Sequence, residues 1–315
     1  MATVASRIAP PDAKTLKWKS PEEFKYIGKA VKRLDTPAKV NGTAQFGIDV
    51  ELPEMLTAVV LRSPVLYGKV AKVDDAAAKA VKGVKHVVQV KTPTSEGVAV
   101  VADSYWAATM GRNALTVTWD DGEKAGLSSE SLHEEMSAAA DSGKGLIVAK
   151  AEGNVASAKV IKSVTAEYEV PYLAHAPMEP MNITASVTAD GVHIYGGTQL
   201  QGPTQFIVAQ AMKIKPEQVK VTTTHLGGGF GRRLCPDALL EAVQCSGAAK
   251  VPVKVVFSRE DDTRGQYYRP AALIRVRGGV DADNKPVAMH ARAVCSSVAK
   301  GSGFDAALIN KAGLD

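Results

Sequence analysis

The sequence feature that most constrains the fold is His225-Leu226-Gly227-Gly228-Gly229-Phe230-Gly231-Arg232-Arg233. It stands between a β-rich run, Val219 to Thr224, and a helical pattern that starts near Pro236-Asp237. Four glycines in five positions suit neither a strand nor a helix, because glycine loses the most backbone freedom on ordering. The chain must therefore turn here, from a strand into a helix, with its N–H groups uncovered by side chains. Such a loop ahead of a helix can hold an anion, and Arg232 and Arg233 add forked donors beside it. Two familiar loops are excluded by spacing. A dinucleotide fingerprint starting at Gly227 needs glycine at 232, and a GxxxxGK[ST] phosphate loop needs Gly-Lys-Ser/Thr at 232–234, where Arg232, Arg233 and Leu234 stand. Taken alone, the loop reads equally well as a glycine-rich turn with no ligand.

Periodicity on either side of the loop predicts an α+β (mixed α/β) chain. Met55 to Arg62, Val84 to Lys91, Val98 to Ala102 and Ala114 to Trp119 read as strands. Asp74 to Lys82 and a segment capped by Asp103 and running to Met110 read as helices between them. Leu127 to Ala140 is a helix with Ser128 at its cap, ended by Gly143 and Gly145. Further strands are expected at Val164 to Val170, Ile183 to Thr188, Val192 to Tyr195, Val253 to Phe257, Leu273 to Arg277 and Val287 to Val294. Helices are expected at Phe206 to Met212 and Ala238 to Ala248. The expected organisation is an extended lead-in over 1–25, a compact unit over 26–122, a connector over 123–160 and a second unit over 161–315.

Composition narrows the function classes. The 315 residues are 45% hydrophobic and 23% charged, enough for real cores. A net charge of +5, with no run of five like charges, gives no arm for nucleic acid or a membrane surface. No stretch approaches the length of a transmembrane helix, and Met1 to Ser20 lacks a signal-peptide core. Cys235, Cys245 and Cys295 match no zinc or disulfide pattern and are too few to ligate an iron–sulfur cluster. The six histidines show no metal-ligand spacing. Glu179 reads best as a strand-end carboxylate satisfied by backbone N–H groups, and Asp261-Asp262 as a solvated turn. Cys235 reads as a small buried apolar residue.

Several segments together carry a resemblance. Gly227-Gly228-Gly229-Phe230-Gly231-Arg232 resembles the GGGFG loop of the xanthine dehydrogenase/aldehyde oxidase family of molybdenum hydroxylases. Thr198-Gln199, 31 residues before Phe230, is similar to that family's glutamine beside the metal. His175-Ala176-Pro177-Met178-Glu179-Pro180 resembles the opening of its first cofactor-binding domain, and Ser258-Arg259-Glu260-Asp261-Asp262 a stretch that follows. Arg33 to Ala44 resembles the start of its a/b hammerhead domain, especially in the isoquinoline 1-oxidoreductase beta-subunit branch.

The resemblance implies an a/b hammerhead domain over 26–122 and a mixed-sheet, first molybdopterin-binding domain over 161–315. It implies a part of an enzyme that oxidises aldehydes or N-heterocycles with water as oxygen source. The cofactor is molybdopterin, in its cytosine dinucleotide form. Implied partners are a small subunit carrying [2Fe-2S] clusters, a cytochrome c acceptor and the remainder of the large subunit, in a periplasmic or membrane-associated setting. On this resemblance Gln199 hydrogen-bonds the apical oxygen ligand of molybdenum and Phe230 packs at the substrate pocket. Gly228, Gly229 and Gly231 let the backbone approach the metal ligands, and Arg232 and Arg233 hold the cofactor phosphate or a neighbouring segment. No protein ligand to the metal is implied. Two departures stand out. Nothing here matches the family's catalytic glutamate, which lies near the far C-terminal end of the large subunit. Where purine-oxidising members place a glutamate four residues after the loop phenylalanine, this chain has Leu234. The competing reading is a cofactor- or anion-binding module, or an inactive truncation.

Overall fold

The most apolar run of the chain organises the fold. In the computed structural model, which describes residues 6–298 except 144, 146 and 266, every residue from Gly97 to Ala102 is buried. A strand buried on both faces needs layers on each side. The strands are β1 (Leu56–Arg62), β2 (Lys69–Asp74), β3 (Val84–Lys91), β4 (Glu96–Ala102), β5 (Thr116–Asp120), β6 (Lys162–Val170), β7 (Asn182–Val187), β8 (Val192–Gly196), β9 (Val219–Thr223), β10 (Val253–Val256), β11 (Ala272–Val280) and β12 (Pro286–Cys295). The helices are α1 (Thr36–Val40), α2 (Ala76–Ala80), α3 (Tyr105–Asn113), α4 (Ser129–Ser142), α5 (Gln201–Met212), α6 (Asp237–Ala249) and α7 (Arg259–Thr263). Among the described residues, no helix is long and apolar enough to cross a membrane.

The chain divides after Ala44 into two compact units. The first contains α1 and two short 3-10 turns, none of which carries a buried residue. Its one charged cluster places Asp35 between Arg33 and Lys39, at 2.8 and 2.6 Å.

The second unit is built on a seven-stranded mixed sheet in the order β3-β4-β1-β10-β7-β8-β9. Ala58 and Val60 of β1 join a core shared with Val208 and Ala209 of α5 and with Ala238, Leu239, Ala242 and Val243 of α6. Val59, which points the other way as strand alternation requires, packs instead with Ala107 and Ala108 of α3. The sheet crosses the division expected from the sequence: β1 pairs in parallel with β10, Leu56 opposite Val253, so strands of 26–122 and of 161–315 share one ladder. Contacts thin after Ala44.

Local expectations mostly hold; the differences are a cap, one strand and two short helices, α1 and α7, that periodicity did not announce. Ser104, not Asp103, caps α3, because its side chain is the one that accepts the Ala107 N–H, at 3.2 Å. Strand β2, unforeseen, pairs with β5 over Lys69–Asp74 in a separate ribbon. Ser128 caps α4 as expected, and Gly143 ends it at φ +62°, where an L side chain would be strained.

One ion pair is sealed between α6 and the sheet. Arg62 of β1 donates to both carboxylate oxygens of Glu241, at 2.8 and 2.5 Å, and the Glu241 side chain is 1% exposed. The guanidinium also lies 3.6 Å from the centre of the Phe257 ring. Burial pushes the Glu241 carboxyl up, against the pull of Arg62. Removing one partner of such a pair strands the other charge. Arg62→Met should therefore lower unfolding free energy by about 3–5 kcal/mol, while the Arg62→Met/Glu241→Leu double variant should recover most of the loss. Urea denaturation of the three proteins checks this; a double variant no more stable than Arg62→Met would contradict it.

Candidate functional site

The site forms where two parallel strands end together. β8 and β9 pair in parallel with Gly196 opposite Thr223, so the turns leaving both strands emerge side by side. Ligands in open α/β sheets gather at carboxyl ends of this kind. The first turn carries Thr198 and Gln199, and the second carries the glycine loop. They are in contact: a Cβ added to Gly229 would sit 2.6 Å from Gln199 Oε1, and one added to Gly197 2.6 Å from Leu226 Cβ. Gln199 Oε1 accepts the Gly231 N–H at 3.1 Å, and the Gln199 N–H donates to the Arg233 carbonyl at 3.2 Å. Among the described residues, the Gln199 side-chain amide nitrogen has no protein acceptor, nor have the backbone N–H groups of Gly228, Gly229 and Phe230.

The loop is shaped by one carboxylate. Glu179, 9% exposed, accepts the Gly227 N–H at 2.7 Å and an Arg233 Nη2 hydrogen at 2.9 Å on one oxygen. Its other oxygen accepts the Ile48 N–H at 3.0 Å and the Asn182 amide at 2.9 Å. The Glu179 N–H returns a bond to the Gly227 carbonyl. Arg233 also donates through Nε to the Gly228 carbonyl and through Nη2 to the Glu179 carbonyl, each at 2.9 Å. The glutamate is thus satisfied by backbone N–H groups, as expected, but also by a buried guanidinium, which composition and spacing gave no means of seeing.

Arg232 is equally committed. It forms a bidentate pair with Asp237, at 2.9 and 2.6 Å, with its side chain 1% exposed, and lies 4.0 Å from Asp262. Tyr267 and Phe257 flank it at 5.2 and 5.7 Å from their ring centres. Both arginines therefore brace neighbouring segments, one of the two expectations for them, and neither guanidinium is open to a cofactor phosphate. The physical reason is burial: a guanidinium taken out of water is stable only against a carboxylate. Asp261-Asp262 is likewise no solvated turn. Asp261 pairs with Arg112 at 2.8 Å, and Asp262, 3% exposed, pairs with Arg259 at 2.9 Å. Burial pushes the Asp262 carboxyl up, while Arg232 and Arg259 pull it down. Arg259 also donates to the carbonyls of Pro177 and Met178, at 2.7 and 3.1 Å, fixing the segment that leads into Glu179.

The residues left facing outward are Phe230 and Met178, 73% and 89% exposed, with Gln199 exposed beside them. Phe230 has φ +53°, a costly conformation for an aromatic residue. Gly231 has φ +98°, and a Cβ there would come no closer than 3.5 Å to its nearest neighbour, His175 Nε2. Gly231 is thus required by backbone conformation, whereas Gly227 is required by space, a Cβ there falling 2.4 Å from Glu179 Cβ. Burial, then the Arg232 charge, hold the His175 imidazole below the ordinary histidine range. Leu234 lines a small cavity with Met181, Ile183, Thr198, Leu200, Ile207 and Leu239. Among the described residues no three His, Cys, Asp or Glu side chains group as a metal site.

The fold and site thus place bare backbone donors at the ends of two parallel strands. Residues 133–314 match the molybdopterin cofactor-binding domain family, and the chain belongs to that family. It is 33% identical over 288 residues to isoquinoline 1-oxidoreductase subunit beta of Brevundimonas diminuta, covering 88% of this chain and 36% of that protein. It is 34% identical over 298 residues to the membrane-bound aldehyde dehydrogenase [pyrroloquinoline-quinone] of Gluconacetobacter polyoxogenes, covering 90% of this chain and 38% of the relative. Quinoline 2-oxidoreductase from Pseudomonas putida 86 shares the fold, with a TM-score of 0.65 at 20% identity over 84% of this chain and 39% of that one. The chain therefore spans little more than a third of each of these three relatives, whose names are those of oxidoreductases or a dehydrogenase. Three of the seven main-sheet strands, β1, β3 and β4, lie before the matched family segment.

The clamp and the glutamine have separable roles. Glu179→Leu strands the buried Arg233 charge and should cost about 3–5 kcal/mol of unfolding free energy. Gln199→Ala, at an exposed position, should stay within about 0.5 kcal/mol of the parent. Chemical denaturation of both variants measures this, and equal losses would remove the distinction.

Proposed function

We propose that this chain supplies the glycine-loop side of the molybdenum-cofactor site in a hydroxylase that oxidises aldehydes or N-heterocycles with oxygen taken from water. The observation that carries this reading is the set of donors without protein acceptors: the Gln199 amide nitrogen beside the N–H groups of Gly228, Gly229 and Phe230. These donors suit the anionic sulfur and oxygen periphery of such a cofactor. When bound, the cofactor supplies the redox chemistry; the protein's share is position and electrostatics. Gly231 holds Gln199 Oε1 through its N–H, which fixes the amide so that its nitrogen is presented outward. That donor needs no reorganisation as charge shifts during the reaction. Phe230, held outward by its left-handed backbone, offers an apolar wall for an aromatic or aldehyde substrate.

On this reading residues 26–122 are the a/b hammerhead contribution and 161–315 the first molybdopterin-binding domain, joined through the β1–β10 ladder. A cytosine dinucleotide cofactor, electron transfer to a small [2Fe-2S] subunit and on to cytochrome c, and a periplasmic or membrane-associated setting follow from the resemblance to the isoquinoline 1-oxidoreductase branch. The carboxylate that acts as base belongs to the remainder of the large subunit.

In the complete enzyme, Gln199→Ala should lower kcat by roughly 10²–10³-fold, the loss seen for one preorganised donor, with molybdenum content unchanged. Gly231→Val forces a β-branched residue to φ +98° and displaces the N–H that holds Gln199; it should empty the site of molybdenum while circular dichroism stays native. Steady-state kinetics and metal analysis decide both, and a Gln199→Ala enzyme with parental kcat would refute the assignment.

Leu234 sets a second expectation. An apolar side chain provides no partner for purine polar atoms, at about 1–3 kcal/mol for each one left unpaired. The complete enzyme should favour benzaldehyde or a simple N-heterocycle over xanthine in kcat/KM. Xanthine turning over with the higher kcat/KM would exclude this substrate class.

A further inference from the structure

The three-stranded sheet β6-β11-β12 has one charged face and one bare apolar face. In β11, Leu273 and Arg275 face α4, whose Met136 and Ala140 pack on Leu273. On the same side Arg275 pairs with Glu167 of β6 and Asp141 of α4, His133 of α4 pairs with Glu169, and Arg292 of β12 donates to the Ala140 carbonyl. The helix of this chain thus lies on the face that carries the charges, where Arg275, Glu167 and Glu169 stay 28%, 46% and 43% exposed. The register assigns the opposite face without ambiguity: Ile274 lies between Tyr168 and Ala293, and Val276 between Ala166 and Ala291. Gly278, Val164 and Met289 continue that face. From Val164 to Val170, Ala272 to Gly278 and Met289 to Cys295, it holds no Asp, Glu, Lys or Arg. It is nevertheless open, with Val164 63%, Tyr168 58% and Met289 67% exposed.

An antiparallel sheet with one wet face keeps the polar side chains on that face. Here the charged side chains share their face with α4 and pair with one another while staying partly exposed, and the opposite face is apolar and bare, an arrangement that marks an interface. We propose that this face is the seat of the further large-subunit polypeptide that the longer relatives carry. That occupant fits because the chain covers only 36% and 38% of two such relatives, leaving well over half of each outside it. An uncharged face across three strands also asks for a covering layer of similar apolar character, as in the interior of one subunit, where obligate contacts resemble a domain core. The proposal goes beyond the cofactor assignment and does not depend on it, since its readout is burial, not turnover.

Cys295 provides an intrinsic probe. It lies on this face opposite Ala272 and is exposed, whereas Cys235 and Cys245 are buried. Maleimide labelling is followed on the chain alone and on the chain together with the polypeptide that completes the large subunit, whether continuous with it or co-expressed. Cys295 should label rapidly in the chain alone at all protein concentrations, and roughly tenfold or more slowly in the complete subunit, where labelling requires local opening. Tyr168→Glu with Met289→Glu, both at solvent-facing positions, should abolish that protection while the far-ultraviolet circular dichroism of the chain alone stays unchanged. Equal labelling in the two states overturns the proposal. So does protection in the chain alone: if it rises with concentration, a second copy is the occupant, and if it does not, the chain covers its own face. The absence of any completing polypeptide encoded with the chain overturns it as well.

Discussion

The contact on which the site depends is the buried pair of Glu179 and Arg233. A carboxylate and a guanidinium removed from water gain little over two apolar residues as a pair, but each is costly without the other. That asymmetry makes the pair a clamp. Glu179 cannot leave Arg233, and both also hold backbone: the Gly227 and Ile48 N–H groups and the Gly228 and Glu179 carbonyls. The ends of the glycine loop are therefore tied from inside the protein. The middle of the loop, Gly228 to Phe230, is held in one shape with its N–H groups unspent. A site fixed in this way avoids part of the ordering cost of binding.

The clamp also explains how a strained aromatic residue persists. A non-glycine residue at φ +53° costs on the order of 1–3 kcal/mol and survives only where its surroundings over-determine it. Phe230 gains nothing from burial, being 73% exposed, so the constraint must come from its neighbours in sequence. Gly231 N–H on Gln199, the Arg232 N–H on the Gly229 carbonyl at 2.7 Å, and the buried side chains of Arg232 and Arg233 supply it. The two arginines act on the ligand site indirectly: they set the shape of the loop.

How much of this was legible in the sequence depends on the range of the interaction. The glycine loop announced itself, because four glycines in five residues have few structural uses. Strand and helix positions followed from local periodicity, as with β3 over Val84–Lys91. The pairing of β1 with β10 did not, since alternation specifies a face and never a partner. The arginines were the instructive case. Beside a glycine loop they look like anion ligands, yet Asp237, Asp262 and Glu179 lie 5, 30 and 54 residues away from the guanidinium each one meets. Only the fold shows that these charges cancel. Asp261-Asp262 looked like a solvated turn partly for the same reason: Arg112 and Arg232 are remote in sequence, although Arg259, the nearer partner of Asp262, is three residues away.

Read together, the charges separate the two kinds of surface on the larger unit. Where arginine and carboxylate meet under cover, at Arg62–Glu241, Arg232–Asp237 and Arg233–Glu179, the chain has completed its own interior. The bare places, Phe230 and Met178 at the loop and the apolar face of β6-β11-β12, carry no such pairs. A surface meant for water would place its charges there instead, since charged groups are stable in water without partners. The paired interior makes the chain rigid enough to hold a loop in shape, and the uncharged exterior leaves room for more structure to be added without stranding a charge. A loop held in shape from inside keeps its geometry by itself, and covering the two uncharged patches would desolvate only groups that gain by it.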